Sequence, residues 1–370
     1  MTRVTRPALS TLTALVMVGT HFVGAPAPAF AADPPIIYYI AQSGIAASTP
    51  GDGTSCAAPD YVEDPAGDDH ASISSALAPA SNGDTIYLCA GTYDIGTSID
   101  LAGETITLQG AAAATTILDG GGDTQILTSS GAITVSDLTF QNGSSDFGGA
   151  IDTNSTATVT DSTFTNNTAI YGGAIFTPST TTVTDSTFTG NTADDDGGAI
   201  CVYSTATVSN STFTGNTADV GGGAIYAYST ATVSNSDFTG NTAEYGGAIR
   251  ATIATVSNSA FTRNSSTQSG GAIYAWTGVF DSSRFTRNTA GTHGGAIVSV
   301  SSAPTDLRLM RRNIFSRNRA AAGGAMTLGP CGTPSQSEAA RVERANRFSG
   351  NRATEQRRTN NIERLEGGCT

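Results

Sequence analysis

The chain has 370 residues, 43 of them glycine and only 13% charged, with a formal net charge of −13. It contains no lysine; between Pro7 and Ile249 there is no arginine either, against 24 acids, whereas from Arg250 onward 16 arginines face 7 acids. This acidic balance excludes nucleic acid as the expected partner, because phosphate affinity comes mainly from cationic contacts, and leaves the basic last third to meet an anionic polymer, a wall or a lipid surface.

The first residues read as a leader rather than as fold. Arg3 and Arg6 precede an apolar stretch from Leu9 to Val23, and Ala29-Phe30-Ala31 supplies an A-x-A cleavage pattern, so residues 1–31 are expected to be a secretory signal peptide. No later stretch reaches the ~18 apolar residues of a membrane-spanning helix, and no C-terminal aromatic-girdled strand pattern points to a fused barrel. A secreted, extracellular or cell-surface product is expected, as a monomer. The five cysteines of an exported chain favour disulfides. Cys56 with Cys89 and Cys331 with Cys369 would staple the two ends and leave Cys201 free, although sequence permits other connectivities.

Residues 32–70 form an N-terminal segment, and 71–351 carry the ordered pattern. Ile73, Ala76 and Leu77 follow helical spacing within Ser72–Ser81, which suggests a short cap helix. Short strands follow at Asp84-Thr-Ile-Tyr-Leu, Thr105-Ile-Thr-Leu, Thr116-Ile-Leu and Ala132-Ile-Thr-Val. A repeat then takes over. Gly-Gly-Ala-Ile begins at Gly148, Gly172, Gly197, Gly222, Gly246, Gly270 and Gly294, and Phe-Thr-x-Asn begins at Phe164, Phe188, Phe213, Phe238, Phe261 and Phe285. Both advance by 23 to 25 residues, and degenerate copies at Gly323, Phe315 and Phe348 follow wider steps.

Each unit contains three β-like runs, with Ile225, Ala227, Ala231, Val233 and Phe238 inward on a period of two. No run can bury its face alone, so successive units must stack, each strand in parallel with its homologue about 4.8 Å away. The expected fold is all-β: a right-handed parallel β-helix, a single-stranded solenoid of about 24 residues per coil with short capping helices. The glycine pair should supply positive φ at a tight corner. Each Phe should stack on the previous one. Asn167, Asn191, Asn216, Asn241, Asn264 and Asn288 should form an inward ladder bonded to the next coil. At the far end Ser335-x-x-Glu338 is a capping box opening a helix to about Asn346, and 352–370 is an arginine-rich tail.

The alternating GGAI and FxxN strings resemble the repeats of chlamydial-type polymorphic membrane proteins. The stretch Gly83-Asp-Thr-Ile-Tyr-Leu with Gly91-Thr-Tyr resembles the opening coils of pectate-lyase-like β-helix proteins. The two span roughly residues 70 to 351. The resemblance implies the fold, with surface display or adhesion as the precedent. Those proteins typically end in an autotransporter barrel and this chain ends in an arginine-rich tail, so membrane insertion is not carried over. No lyase calcium-and-arginine motif can be placed residue by residue, so lyase activity is not carried over either.

Function must sit on outward positions. Stacking brings Tyr203, Tyr226, Tyr228, Tyr274 and Trp276 onto one face, a strip on which apolar sugar faces could pack; stacked aromatics that merely stabilise the rod are the alternative. The turns before the glycine pairs gather Asp194, Asp195, Asp196 and Asp219, which could chelate Ca²⁺ or place two carboxylates for glycosidic chemistry. No catalytic residue is assigned and no cofactor is expected beyond that Ca²⁺. The reading is a non-enzymatic scaffold for adhesion or for a polysaccharide or cell-surface component; the alternative is a polysaccharide lyase or glycoside hydrolase of pectate-lyase-like fold.

Overall fold

The structure is a computed structural model that describes residues 34–42, 47, 49, 53–63, 68–103, 105–301, 310–331, 336–355 and 361–364. The expected leader and the Cys331–Cys369 pairing lie outside the described residues.

Thr, Val and Ile branch at Cβ and favour extended backbone, while Gly and Asn interrupt it every few residues. The coil entered at Gly197 therefore holds four short strands: Ile200–Val202, Thr205–Ser209, Thr212–Thr214 and Thr217–Ala218. The first two lie in one sheet and the others each in a sheet of their own, so three sheets wall the coil. The sequence suggests three runs per unit because the last strand, two residues long, is too short to show alternation. Among the described residues the strand pairings between coils are parallel, and the inner rows keep register, as in Phe188↔Phe213 and Phe213↔Phe238, while register shifts after Ala227, Ala243 and Ser299 fall at corners. The result is a right-handed parallel β-solenoid.

The inward rows hold it together. Phe213 is fully buried between Phe188 and Phe238, with ring centroids 4.7 Å apart and planes within 3°. Full burial of such a side chain contributes about 1.5–3 kcal/mol. The asparagine ladder forms as expected. The Oδ1 of Asn216 accepts both the backbone N–H and the Nδ2 of Asn191 at 3.0 Å, while its own Nδ2 donates to the Phe188 carbonyl at 3.1 Å. A second polar row, not anticipated from the sequence, runs through Ser162, Ser186, Ser211, Ser236, Ser259 and Ser283. The Ser211 hydroxyl accepts the Ser186 N–H and donates to the Ser209 carbonyl. Both rows let buried polar groups bond the neighbouring coil, so burial leaves them satisfied.

The two glycines of each corner do different work. Gly197 takes φ +72°, whereas a Cβ on Gly198 would lie 2.1 Å from the Gly223 carbonyl oxygen. One permits the turn; the other permits the close approach of coils.

At the start, strand β1 (Ile37–Ala41) pairs with Thr85–Leu88, so the stack already begins within the segment 32–70. Helix α1 (His70–Leu77) buries Ile73 and Ala76, and Cys56 is bonded to Cys89, as the sequence suggests. At the other end helix α2 (Gln336–Ala345) buries Val342, and Arg352–Ala353 and Ile362–Arg364 still pair with the coils.

Candidate functional site

The strand leaving each glycine corner alternates, so its second and fourth residues face away from the core. Register sets Phe176, Cys201, Tyr226, Arg250 and Tyr274 in one row. Beyond it stand Tyr203 (45% exposed), Tyr228 (66%) and Trp276 (50%). On the other side, just before the glycine corners, stand Phe147, Tyr171, Asp196 and Tyr245. The middle row becomes a floor and the outer residues its walls. Phe176 meets Tyr203 edge to face at 5.5 Å, and Cys201 beneath is wholly buried, its thiol pushed up by burial. Cys201 is outward by register yet inaccessible, and it is free, as the sequence suggests.

Two hollows make up the trough. One of 530 Å³ is lined by Tyr171, Asp195, Asp196, Tyr203, Tyr226 and Tyr228. The other, of 280 Å³, is lined by Tyr226, Ala227, Tyr228, Arg250, Ala251, Thr252, Tyr274 and Trp276. They share Tyr226 and Tyr228, so all five aromatics singled out from the sequence line two adjoining hollows on one face. Of the four aspartates, Asp195 and Asp196 line it, while Asp194 and Asp219 are exposed. Among the described residues no three acids, histidines or cysteines come close enough to hold a metal ion.

Arg250 ties the trough together. Its guanidinium lies 5.5 Å from the Tyr226 ring centre and 5.4 Å from that of Tyr245, and its Nη1 reaches Asp196 Oδ1 at 3.5 Å, two coils back. The coil between offers no side chain there, because the position is Gly221. A Cβ on Gly221 would lie 2.3 Å from Arg250 Cδ. Burial pushes the Asp196 carboxyl up to about 6, with Arg250 opposing and Asp195 reinforcing the shift. Burial likewise raises Tyr226 to about 12, with Asp196 adding to it, so its phenol stays protonated and can donate. The arrangement offers aromatic faces, phenolic donors and carboxylate acceptors with nearly balanced charge. Sequence reasoning did not find the span from Arg250 to Asp196. The signals were there: Arg250 is the first arginine after Arg6, and Gly221 turns GGAI into GGGAI.

The family model described as a right handed beta helix region matches residues 85–243. The model of the Chlamydia polymorphic membrane protein repeat matches residues 235–252 and 258–275. No curated protein matches the chain. Among solved structures it is similar to a PL6 family alginate lyase, AlyGC, at 16% identity and a TM-score of 0.36, over 75% of this chain and 39% of that one. A mutant of the same enzyme matches at 16% identity and TM-score 0.36, over 78% and 40%. The chain thus spans 39–40% of the length of those structures. Winding and family matches agree: this is a right-handed parallel β-helix whose later coils are similar to the Chlamydia polymorphic membrane protein repeat.

Proposed function

We propose that this chain is a secreted or surface-associated carbohydrate-binding scaffold that lays a glycan along the aromatic trough. The observation that carries the reading is that two adjoining hollows, sharing Tyr226 and Tyr228, gather all five aromatics on one face. A chain of sugars is itself a repeat, and a trough built from stacked coils presents a ring or hydroxyl partner at each step. Apolar sugar faces pack on aromatic planes, and Asp195, Asp196, Tyr226 and Arg250 supply hydrogen-bond partners for the hydroxyls. Arg250 is offset by two carboxylates, which favours a neutral glycan. In a pull-down on a panel of insoluble neutral polysaccharides, the wild-type chain should be retained, and Tyr226→Ala, Tyr228→Ala and Trp276→Ala together should abolish retention. Unchanged retention of the triple variant sinks the reading.

One observation favours a second reading, glycoside hydrolysis or elimination: the Asp196 carboxyl, raised to about 6, is partly protonated near neutrality and lies in the trough beside Asp195. Product release measured by reducing ends and by unsaturated-product absorbance, with and without Ca²⁺, separates the two. Turnover lost in Asp196→Asn supports the enzyme; absence of turnover on every retained polysaccharide leaves the scaffold.

A further inference from the structure

The turn after each stacked Phe is left-handed in coil after coil. At the third position of Phe-Thr-x-Asn the residues are Asn166, Gly190, Gly215 and Gly240, then Arg263 (φ 55°), Arg287 (φ 56°) and Arg317 (φ 56°), and again Gly350 (φ 62°). Glycine takes this conformation freely and asparagine tolerates it. Arginine has a Cβ that crowds there and no short polar group to bond locally. Three consecutive coils nevertheless hold arginine where their neighbours hold glycine.

Among the described residues no ion pair or side-chain hydrogen bond offsets the strain. All three side chains are exposed. Arg312 makes the contrast: it too is left-handed (φ 59°), but its Nε donates to Asp281 at 3.1 Å. The three lie one coil apart, since the Arg263 N–H donates to the Thr286 carbonyl, that of Arg287 to Ser316 and that of Arg317 to Ser349. Like charges therefore leave the backbone about every 4.8 Å along the rod and repel one another. Arg284 on the preceding strand and the register pair Arg319↔Arg352 on the following strand are exposed and likewise without an ion pair among the described residues. The row lies across the narrow third sheet from the aromatic trough.

We infer that this edge is a docking surface for an acidic polysaccharide, a linear chain with a carboxylate on each sugar, lying parallel to the rod. The chain's cations are all arginine, whose planar fork takes a carboxylate through two hydrogen bonds. The left-handed arginines stand in line, one per coil, with Arg284, Arg319 and Arg352 flanking them, so the cations form a band along the coils that fits a linear polyanion. Duplex DNA winds its phosphates round a helix, one per about 3.4 Å of axis on each strand, and a bilayer offers a plane of headgroups instead of a line.

The test uses the full chain on immobilised polygalacturonate, with phosphatidylglycerol vesicles and duplex DNA in parallel. Wild type should be retained and should weaken as salt rises from about 50 to 200 mM. The triple variant Arg263→Gly, Arg287→Gly, Arg317→Gly restores the residue other coils use, so it should melt no lower than wild type while affinity falls at least about tenfold, with a shallower salt dependence. A second triple variant, Arg284→Gln, Arg319→Gln, Arg352→Gln, leaves the turns untouched and should weaken binding in the same direction. Variants of Tyr228 and Trp276 should bind polygalacturonate as wild type does, which separates this surface from the trough. Failure of wild type to bind, equal binding by both arginine variants, or tighter binding to vesicles or DNA overturns the proposal.

Discussion

The inside and the outside of one coil obey different rules. Inside, Phe188, Phe213 and Phe238 superpose ring on ring, and Asn191, Asn216 and Asn241 repeat one bonding pattern. Outside, the same three coils put Phe176, Cys201 and Tyr226 at one register position, and the next coil puts Arg250 there. A stacked core cannot vary, because each ring is the floor of the next. The outer face can, because a coil meets only solvent or its own neighbours there. Uniformity marks what folds, and departure from it marks what can bind.

The sharpest way to break that contrast is to damage the interior. Phe213→Ala leaves a cavity between two stacked rings and should cost about 3–5 kcal/mol, read from urea or thermal unfolding. Asn216→Ala strands the Asn191 N–H, its Nδ2 and the Phe188 carbonyl, and should cost about 2–3 kcal/mol in the same assay. A loss under about 0.5 kcal/mol for either would make the inner rows as tolerant as an ordinary surface position. Next comes pH. Burial beside Asp69, with Ser72 partly opposing, pushes the Glu63 carboxyl up to about 8. A carboxyl with a raised pKa is bound in its protonated form, so its contribution is full below the ordinary glutamate range and lost as pH rises through about 8. Hydrogen exchange over residues 61–77 should accelerate above that pH while the coils stay protected, and Glu63→Gln should remove the change. Smallest in stability is the outer face: Trp276→Ala, half exposed, should shift unfolding by no more than about 0.5 kcal/mol while weakening retention on neutral polysaccharide.

Inner rows are legible in sequence because a residue fixed by stacking recurs at one spacing whatever surrounds it. The serine row carried the same signal: Ser162, Ser186, Ser211, Ser236, Ser259 and Ser283 never change, while the next residue runs through Thr163, Asp237, Ala260 and Arg284. Set against the louder Phe and Asn, it passed as filler. β1 was harder, since Ile37–Ala41 joins the stack without either repeat string, through pairing alone. On the outer face, the aromatic positions followed from alternation. The contact from Arg250 to Asp196 did not, because it joins residues 54 apart across a coil whose contribution is a missing side chain.

The asparagine ladder carries one more consequence. Each amide bonds only to the coil before and the coil after, so a coil has no knowledge of its place in the series. Copying or excising one repeat unit in frame by unequal recombination leaves every internal bond intact. What changes is reach: the trough gains or loses one step. The number of coils can therefore change by gene-level counting, without redesigning a single interior contact.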